Sequence, residues 1–234
     1  MAVSHCMLMS PTSPTNCRLL DERDALLTIE EVLAVRLYSG PAYKPINEFL
    51  RDLGQLKTSR HQELLGQSVQ HTFAATVKHL SCALRKLAAV ATPEEARRPL
   101  WRGVHGRLPD EFWGNRCAVE MGFMSTSRKE QTAIDYADPK GPNVLWCLRP
   151  TDESDAAFHC GADIAALSQF SAEEECLFPP CTMLEVVRDP SSSNRAHRPA
   201  LRTQPSFSLD QTTKNAKDED VRITRVLDVR PSFV

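Results

Sequence analysis

The chain has 234 residues, of which 41% are hydrophobic and 25% charged, with a formal net charge of −2. That length and balance suit a folded protein with a sizeable core, one domain with appended tails. The near-neutral charge offers no basic footprint for nucleic acid or an anionic membrane, and no apolar run approaches the roughly 18 residues that cross a bilayer.

Residues 1–17 (MAVSHCMLMSPTSPTNC) are rich in Ser, Thr and Pro, lack periodicity and read as a flexible tail. They have neither a basic start nor a long apolar centre, so an export signal is not expected and a cytoplasmic location is. Residues 18–234 are expected to form a single domain, helical over 18–98 and β-rich over 99–234. Eight cysteines are scattered as Cys6, Cys17, Cys82, Cys117, Cys147, Cys160, Cys176 and Cys181, without a CxxC pair or a Cys/His cluster at zinc spacing. Reduced thiols and no metal are expected.

Order begins near Arg18. Thr28 and Glu31 form a T-x-x-E capping box ahead of Val32, Leu33, Val35 and Leu37, predicting a short helix that Gly40 and Pro41 stop. Pro45 suits the start of a second helix, INEFLRDL, ending at Gly54. From about Arg60 to Val90, Leu65, Val69, Phe73, Val77, Leu80, Leu84 and Leu87 recur every three or four residues, the mark of a helix with one buried face. Thr92-Pro93-Glu94-Glu95 repeats the capping signal for one more turn.

The character changes after Pro99. PLWRGVHG reads as a strand running into a Gly-punctuated loop, MGFMSTS as a second strand, and RKEQTAIDYAD as an exposed helix. The unbroken apolar run of NVLWCLRP predicts a buried strand, and ECLF and TMLEVV are two more, divided by Pro179-Pro180. Residues 188–220 are polar and rich in Pro and Ser, and read as an extended loop or disordered insertion. VRITRVLDV supplies a terminal strand. Helices first and strands afterwards make the class α+β.

Three strand ends carry side chains able to converge on a cleft: Arg102 in LWRG, Ser125 to Ser127 in FMSTS, and the acidic run of EEECLFPP. Each has an ordinary reading by itself. An Arg-Gly pair at a strand end is commonly structural, a Ser-Thr-Ser run caps helices or turns, and three adjacent glutamates repel one another and seek water. Ser127 ahead of RKEQ suits a cap on the exposed helix. His105, isolated in a loop near Arg102, suits a surface residue rather than a base; His71 and His79 lack partners at ligand spacing, and Cys176 suits a small core residue.

The combination, in this order, resembles the arginine-type mono-ADP-ribosyltransferases, the R-S-E branch of the ADP-ribosylating toxin fold. Trp101-Arg102-Gly103, Phe123-Met124-Ser125-Thr126-Ser127 and Glu173-Glu174-Glu175-Cys176-Leu177-Phe178-Pro179-Pro180 carry the likeness, with GADIAALSQF and YSGPAYKPINEFLR (Tyr38 to Arg51) beside them. It covers roughly residues 25–187 and the final strand and leaves the polar insertion unaccounted for. The chain departs from vertebrate cell-surface relatives in lacking an evident export signal and paired-cysteine framework, and in having Trp101 where many have Tyr.

The resemblance implies N-terminal helices packed on a two-sheet β core with an NAD cleft between. It implies cleavage of the nicotinamide–ribose bond of NAD or NADP, used as substrate without a metal, and transfer of ADP-ribose to an exposed arginine of a protein acceptor. A monomer is expected, with no nucleic-acid or membrane partner. Glu175 maps onto the catalytic glutamate, which holds negative charge against an oxocarbenium-like centre, and Glu173 onto the acceptor-facing one. Residues i and i+2 of an extended segment share a side, so both should face the cleft and Glu174 away from it. Arg102 would grip the pyrophosphate, Gly103 would let the backbone approach the nicotinamide amide, and Ser125 would fix the direction of Glu175. Thr126 and Ser127 serve the turn. Arg149 is a candidate second phosphate contact, and Phe170 stands where relatives carry an acceptor-packing aromatic, with a core or staple role as its alternative. Two other functions stay open: an NAD glycohydrolase, with water as acceptor, and an inactive interaction module on the same fold.

Overall fold

Thr28 opens helix α1 (Ile29–Leu37) with the anticipated reciprocal cap: its hydroxyl accepts from the Glu31 amide at 3.3 Å, and Glu31 Oε2 accepts from the Thr28 amide at 2.8 Å. The structure, a computed structural model, describes residues 26–54, 73–106, 112, 115, 117–150, 161–186 and 211–233. The tail at 1–17, the positions Leu65 and Val69, and residues 187–210 lie outside the described residues. Gly40 does break α1, at φ −94° and ψ −161° within a bend over Tyr38–Ala42. Helix α2 (Tyr43–Gly54) then begins ahead of Pro45, which lies in the first turn where its missing N–H has no intrahelical partner to lose.

Helix α3 (Ala74–Ala89) starts after Phe73, and Thr92 caps the short α4 (Pro93–Arg97) through a second reciprocal box with Glu95. Lys86 of α3 donates to Glu31 Oε2 at 3.0 Å, tying α3 to the α1 cap. Val35, Tyr38, Ile46, Leu80 and Leu84 meet Phe123, Ile164 and Leu177 in one core, each large apolar side chain contributing about 1.5–3 kcal/mol of burial. Of the apolar positions that predicted α1, Val35 is fully buried, while Leu33 and Leu37 face outward at 58% and 47% exposure.

The strands are β1 (Leu100–His105), β2 (Cys117–Glu120), β3 (Met124–Ser127), β4 (Asn143–Leu148), β5 (Ala162–Asp163), β6 (Glu175–Phe178), β7 (Thr182–Val186), β8 (Gln211–Lys214) and β9 (Asp220–Phe233). Helix α5 (Glu130–Asp135) links β3 to β4. The sheet runs β2-β7-β9-β4-β1-β3-β6-β5, and β8 pairs with β9. Its two halves join through a single residue pair, Trp101 with Ser127, so the two anticipated sheets form one hydrogen-bonded path with a narrow waist. All six β4 residues are buried, which explains its unbroken apolar run. Its partner β9 is parallel to it, while β7 lies antiparallel along the other edge of β9.

The polar segment anticipated as a loop over 188–220 is ordered at its end. Residues 211–214 form β8 and turn onto β9, because the side-chain oxygen of buried Asn215 accepts from the Lys217 and Glu219 amides at 3.0 and 2.9 Å. Asp218 takes a left-handed φ of 62° to close the turn.

Candidate active site

Both sides of the waist contribute to a cavity of about 320 Å³, within the range of small-molecule sites. Arg102 and Gly103 reach it from β1, Ser125 from β3, Glu173 and Glu175 from the acidic run, and Phe170 from the loop before it. Residues distant in sequence therefore meet, and of the candidate catalytic, NAD-binding and acceptor-binding residues only Arg149 is absent from the lining. Its guanidinium pairs with Asp228 Oδ1 at 3.1 Å, just past the end of β4.

Glu175 opens β6 directly across from Ser127, and Ser125 lies two residues along β3 on the same face. Glu175 is only 9% exposed. Burial raises its pKa above the ordinary carboxylate value; a Ser125 hydrogen bond pulls it down, and the Glu173 charge raises it further. Tyr38 is buried behind Ser125, its phenol pushed up to about 12 chiefly by burial, with hydrogen bonds from Ser125 and Asn47 opposing.

A buried network fixes the strand that carries Ser125. Asn47 Oδ1 accepts from the Phe123 amide at 2.8 Å, and Asn47 Nδ2 donates to the Phe123 carbonyl and the Tyr38 hydroxyl, both at 3.0 Å. The Tyr38 hydroxyl itself donates to the Phe123 carbonyl at 3.2 Å. Gly122 makes room for this, since a Cβ there would sit 2.8 Å from Asn47 Oδ1. Neither Tyr38 nor Asn47 was singled out from sequence, although both fall in the YSGPAYKPINEFLR stretch.

Arg102 Nη1 donates to the Ser125 carbonyl at 2.7 Å, and its Nη2 lies 4.0 Å from Glu120 Oε2. Burial pushes the Arg102 guanidinium down from its ordinary value, and Glu120 offsets this in part; it remains a cation. Glu120 also takes a two-pronged contact from Arg51 at 3.0 and 3.2 Å, so one carboxylate steadies two cations that line the cavity. Glu120 stands on β2, a strand with only four residues that the sequence did not disclose.

Gly103 has a packing reason as well as a place in the lining. A Cβ there would come within 2.4 Å of the Ala133 carbonyl oxygen, so α5 rests directly on the β1 backbone. The acidic run departs from the anticipated extended geometry. Glu173 closes a 3-10 turn (Ser171–Glu173), and Glu174 is left-handed with φ 49°, so a kink rather than strand alternation delivers both Glu173 and Glu175 to the cavity. Lys129 holds that kink, pairing with Glu174 at 3.1 Å and donating to the Ala172 carbonyl at 2.8 Å. Ser127 donates to the Glu173 carbonyl at 2.6 Å and accepts from the Lys129 amide at 2.9 Å; the first residue ahead of α5 is Lys129, so Ser127 locks the turn rather than capping the helix. Thr126 donates to the Cys176 carbonyl at 2.7 Å. The Cys176 thiol is raised to about 11, mainly by burial.

At the mouth, the Tyr136 hydroxyl donates to Glu173 Oε1 at 2.8 Å. Burial and this hydrogen bond both raise its pKa. Tyr136 sits just past α5, a helix that reads from sequence only as exposed. Phe170 is 52% exposed at the same mouth, which places it outside the core. His105 lines the cavity too. Among the described residues no group of three or more His, Cys, Asp or Glu side chains is placed to hold a metal, and no helix is long and apolar enough to cross a membrane.

Solved structures share the fold. ADP-ribosyltransferase HopU1 of Pseudomonas syringae pv. Tomato DC3000 superposes with a TM-score of 0.51 at 20% identity, over 86% of this chain and 76% of its own. The Vis toxin from Vibrio splendidus does so with a TM-score of 0.51 at 18% identity, over 91% and 77%. The human GPI-linked NAD(P)(+)--arginine ADP-ribosyltransferase 1 is 30% identical over 197 residues, 82% of this chain; the chain spans about half the length of that relative, 50%. The model of the ART family, NAD:arginine ADP-ribosyltransferase, matches residues 16–201, and the chain belongs to that family.

Proposed function

We propose that the protein is an NAD-dependent mono-ADP-ribosyltransferase that modifies arginine side chains of a protein acceptor. One observation carries this reading: Arg102, Ser125, Glu173 and Glu175, from three separate segments, line a single cavity. Family membership and the arginine-directed name of the human relative support it.

In the proposed reaction the bond between ribose C1′ and the nicotinamide nitrogen breaks, and its electron pair leaves with nicotinamide. The ribose becomes oxocarbenium-like, and the buried Glu175 carboxylate, aimed by Ser125, stabilises charge that exists only in the transition state. Arg102 and Arg51 supply positive charge suited to the pyrophosphate. Burial that raises the energy of ionised Glu175 in the free protein also strengthens its attraction to the developing cation. An acceptor guanidinium nitrogen then bonds to C1′ and gives up a proton, with Glu173 placed to orient the guanidinium and take that proton.

The test is to treat a polyarginine peptide and a cell lysate with the protein and NAD, or NADP in a parallel arm, and map the adducts by mass spectrometry. ADP-ribose on arginine is the expected product, and Glu175→Gln is expected to lower nicotinamide release by about 100- to 1000-fold. Wild-type protein that releases nicotinamide but labels no arginine points to hydrolysis instead, and no release at all refutes the enzyme.

A further inference from the structure

We propose that Tyr136 is a positioning residue for acceptor capture: its hydroxyl holds one oxygen of Glu173 so that the other is presented to an incoming guanidinium. This rests on the transferase reading above and deepens it. Glu173 is a partly exposed side chain at the end of a one-turn helix, in a place where a free glutamate samples several rotamers. Ordering such a side chain on binding costs affinity, and a contact already made in the free protein removes part of that cost.

The geometry fits the role. The Tyr136 hydroxyl donates to Oε1 of Glu173 at 2.8 Å, which leaves Oε2 without a described hydrogen bond. The Glu173 backbone is fixed independently, its amide donating to the Phe170 carbonyl at 3.0 Å and its carbonyl accepting from Ser127 at 2.6 Å. Only the side chain needs a further tether, and Tyr136 supplies one.

Tyr136 stands on a firm platform. Its amide donates to the Thr132 carbonyl at 3.3 Å, and α5 lies against Gly103 with no space for a methyl group. The far side of α5 is bolted to the β8–β9 turn. Asp135 Oδ1 accepts from the Ala216 amide at 2.7 Å, and Gln131 Nε2 donates to the Lys214 carbonyl at 3.0 Å. The residue as a whole is 57% exposed and lies outside the buried clusters, so removing the hydroxyl leaves the core untouched. A neutral phenol donating to a carboxylate is a charge-assisted bond, stronger than its neutral counterpart.

The experiment compares wild type, Tyr136→Phe, Glu173→Gln and the double variant, with agmatine as a free alkylguanidine acceptor and nicotinamide release as the measure of total turnover. Tyr136→Phe is expected to raise the agmatine KM about 5- to 10-fold and to lower the ratio of transfer to hydrolysis by a similar factor. In the Glu173→Gln background the same substitution is expected to change that ratio less than twofold, because the two residues act as one unit. An unchanged KM and ratio in Tyr136→Phe overturn the proposal. So does an equal loss in both backgrounds, which marks a structural effect that bypasses Glu173. Wild-type protein that releases no nicotinamide defeats the transferase reading separately. An NMR titration of agmatine then decides this proposal: weaker binding to Tyr136→Phe supports the tether, and equal binding overturns it.

Discussion

Glu175 is held where its ionised form is least comfortable, and that discomfort has a measurable sign. Burial and the Glu173 charge raise its pKa in the folded protein, while the unfolded chain keeps the ordinary value. Ionised Glu175 therefore destabilises the fold above its folded pKa, and the penalty disappears as pH falls through that value toward the unfolded one. Glu175→Gln is expected to melt higher than wild type at neutral pH, with the gap closing on acidification, as calorimetry across pH would record. Catalysis should follow the opposite trend, nicotinamide release failing on the acid side at a pH above that of an ordinary glutamate. Arg102, Ser125, Glu173 and Glu175 each stand in an ordered motif that carries the family resemblance, and the fold brings all four to one cavity. Tyr136 and Glu120 left no such trace: a lone tyrosine after a polar helix and a lone glutamate look like surface until the fold places them. Arg149 met the same limit from the other side, since a loop arginine does not reveal that its partner will be Asp228 of β9 rather than a ligand.

Elements were most legible where local chemistry closes on itself. Both capping boxes could be read because a threonine and a glutamate three residues apart satisfy each other without help from the fold. The short edge strands β2 and β8 were not, for their polar faces follow no apolar alternation and their pairing comes from β7 and β9. The kink at Glu174 was equally hidden, since Lys129 and Ser127, distant in sequence, enforce it. Two substitutions probe how elements hold the cavity. Asn47→Ala strands the Phe123 amide inside the core, and a loss of about 2–4 kcal/mol is expected from the denaturant midpoint. Gly103→Ala drives a methyl group into the Ala133 carbonyl, so α5 must shift. A loss of about 1–3 kcal/mol is expected, together with weakened transfer through the displaced Tyr136.

At the scale of the whole molecule, the α+β class followed from the order of patterns along the chain, helical spacing first and strands afterwards. The sheet order did not, because no local signal says that β9 will slot between β4 and β7. Ligand linkage tests whether the halves that meet at the waist form one binding unit. At 100 times its dissociation constant NAD is expected to stabilise the fold by about 2.7 kcal/mol, a rise of roughly 5–10 °C for a chain of this size. Arg102→Ala should abolish that rise, and differential scanning fluorimetry with and without NAD would measure it. The position of β9 also governs how the protein can be made. It joins Asn143 to Ile223 and Thr182 to Phe233, contacts that bridge up to about eighty residues. During translation β4 and β7 must wait, each with one naked edge, until β9 leaves the ribosome. A nascent chain stalled or clipped before residue 220 would thus be an aggregation hazard rather than a smaller working protein, and chaperone demand should peak in that interval.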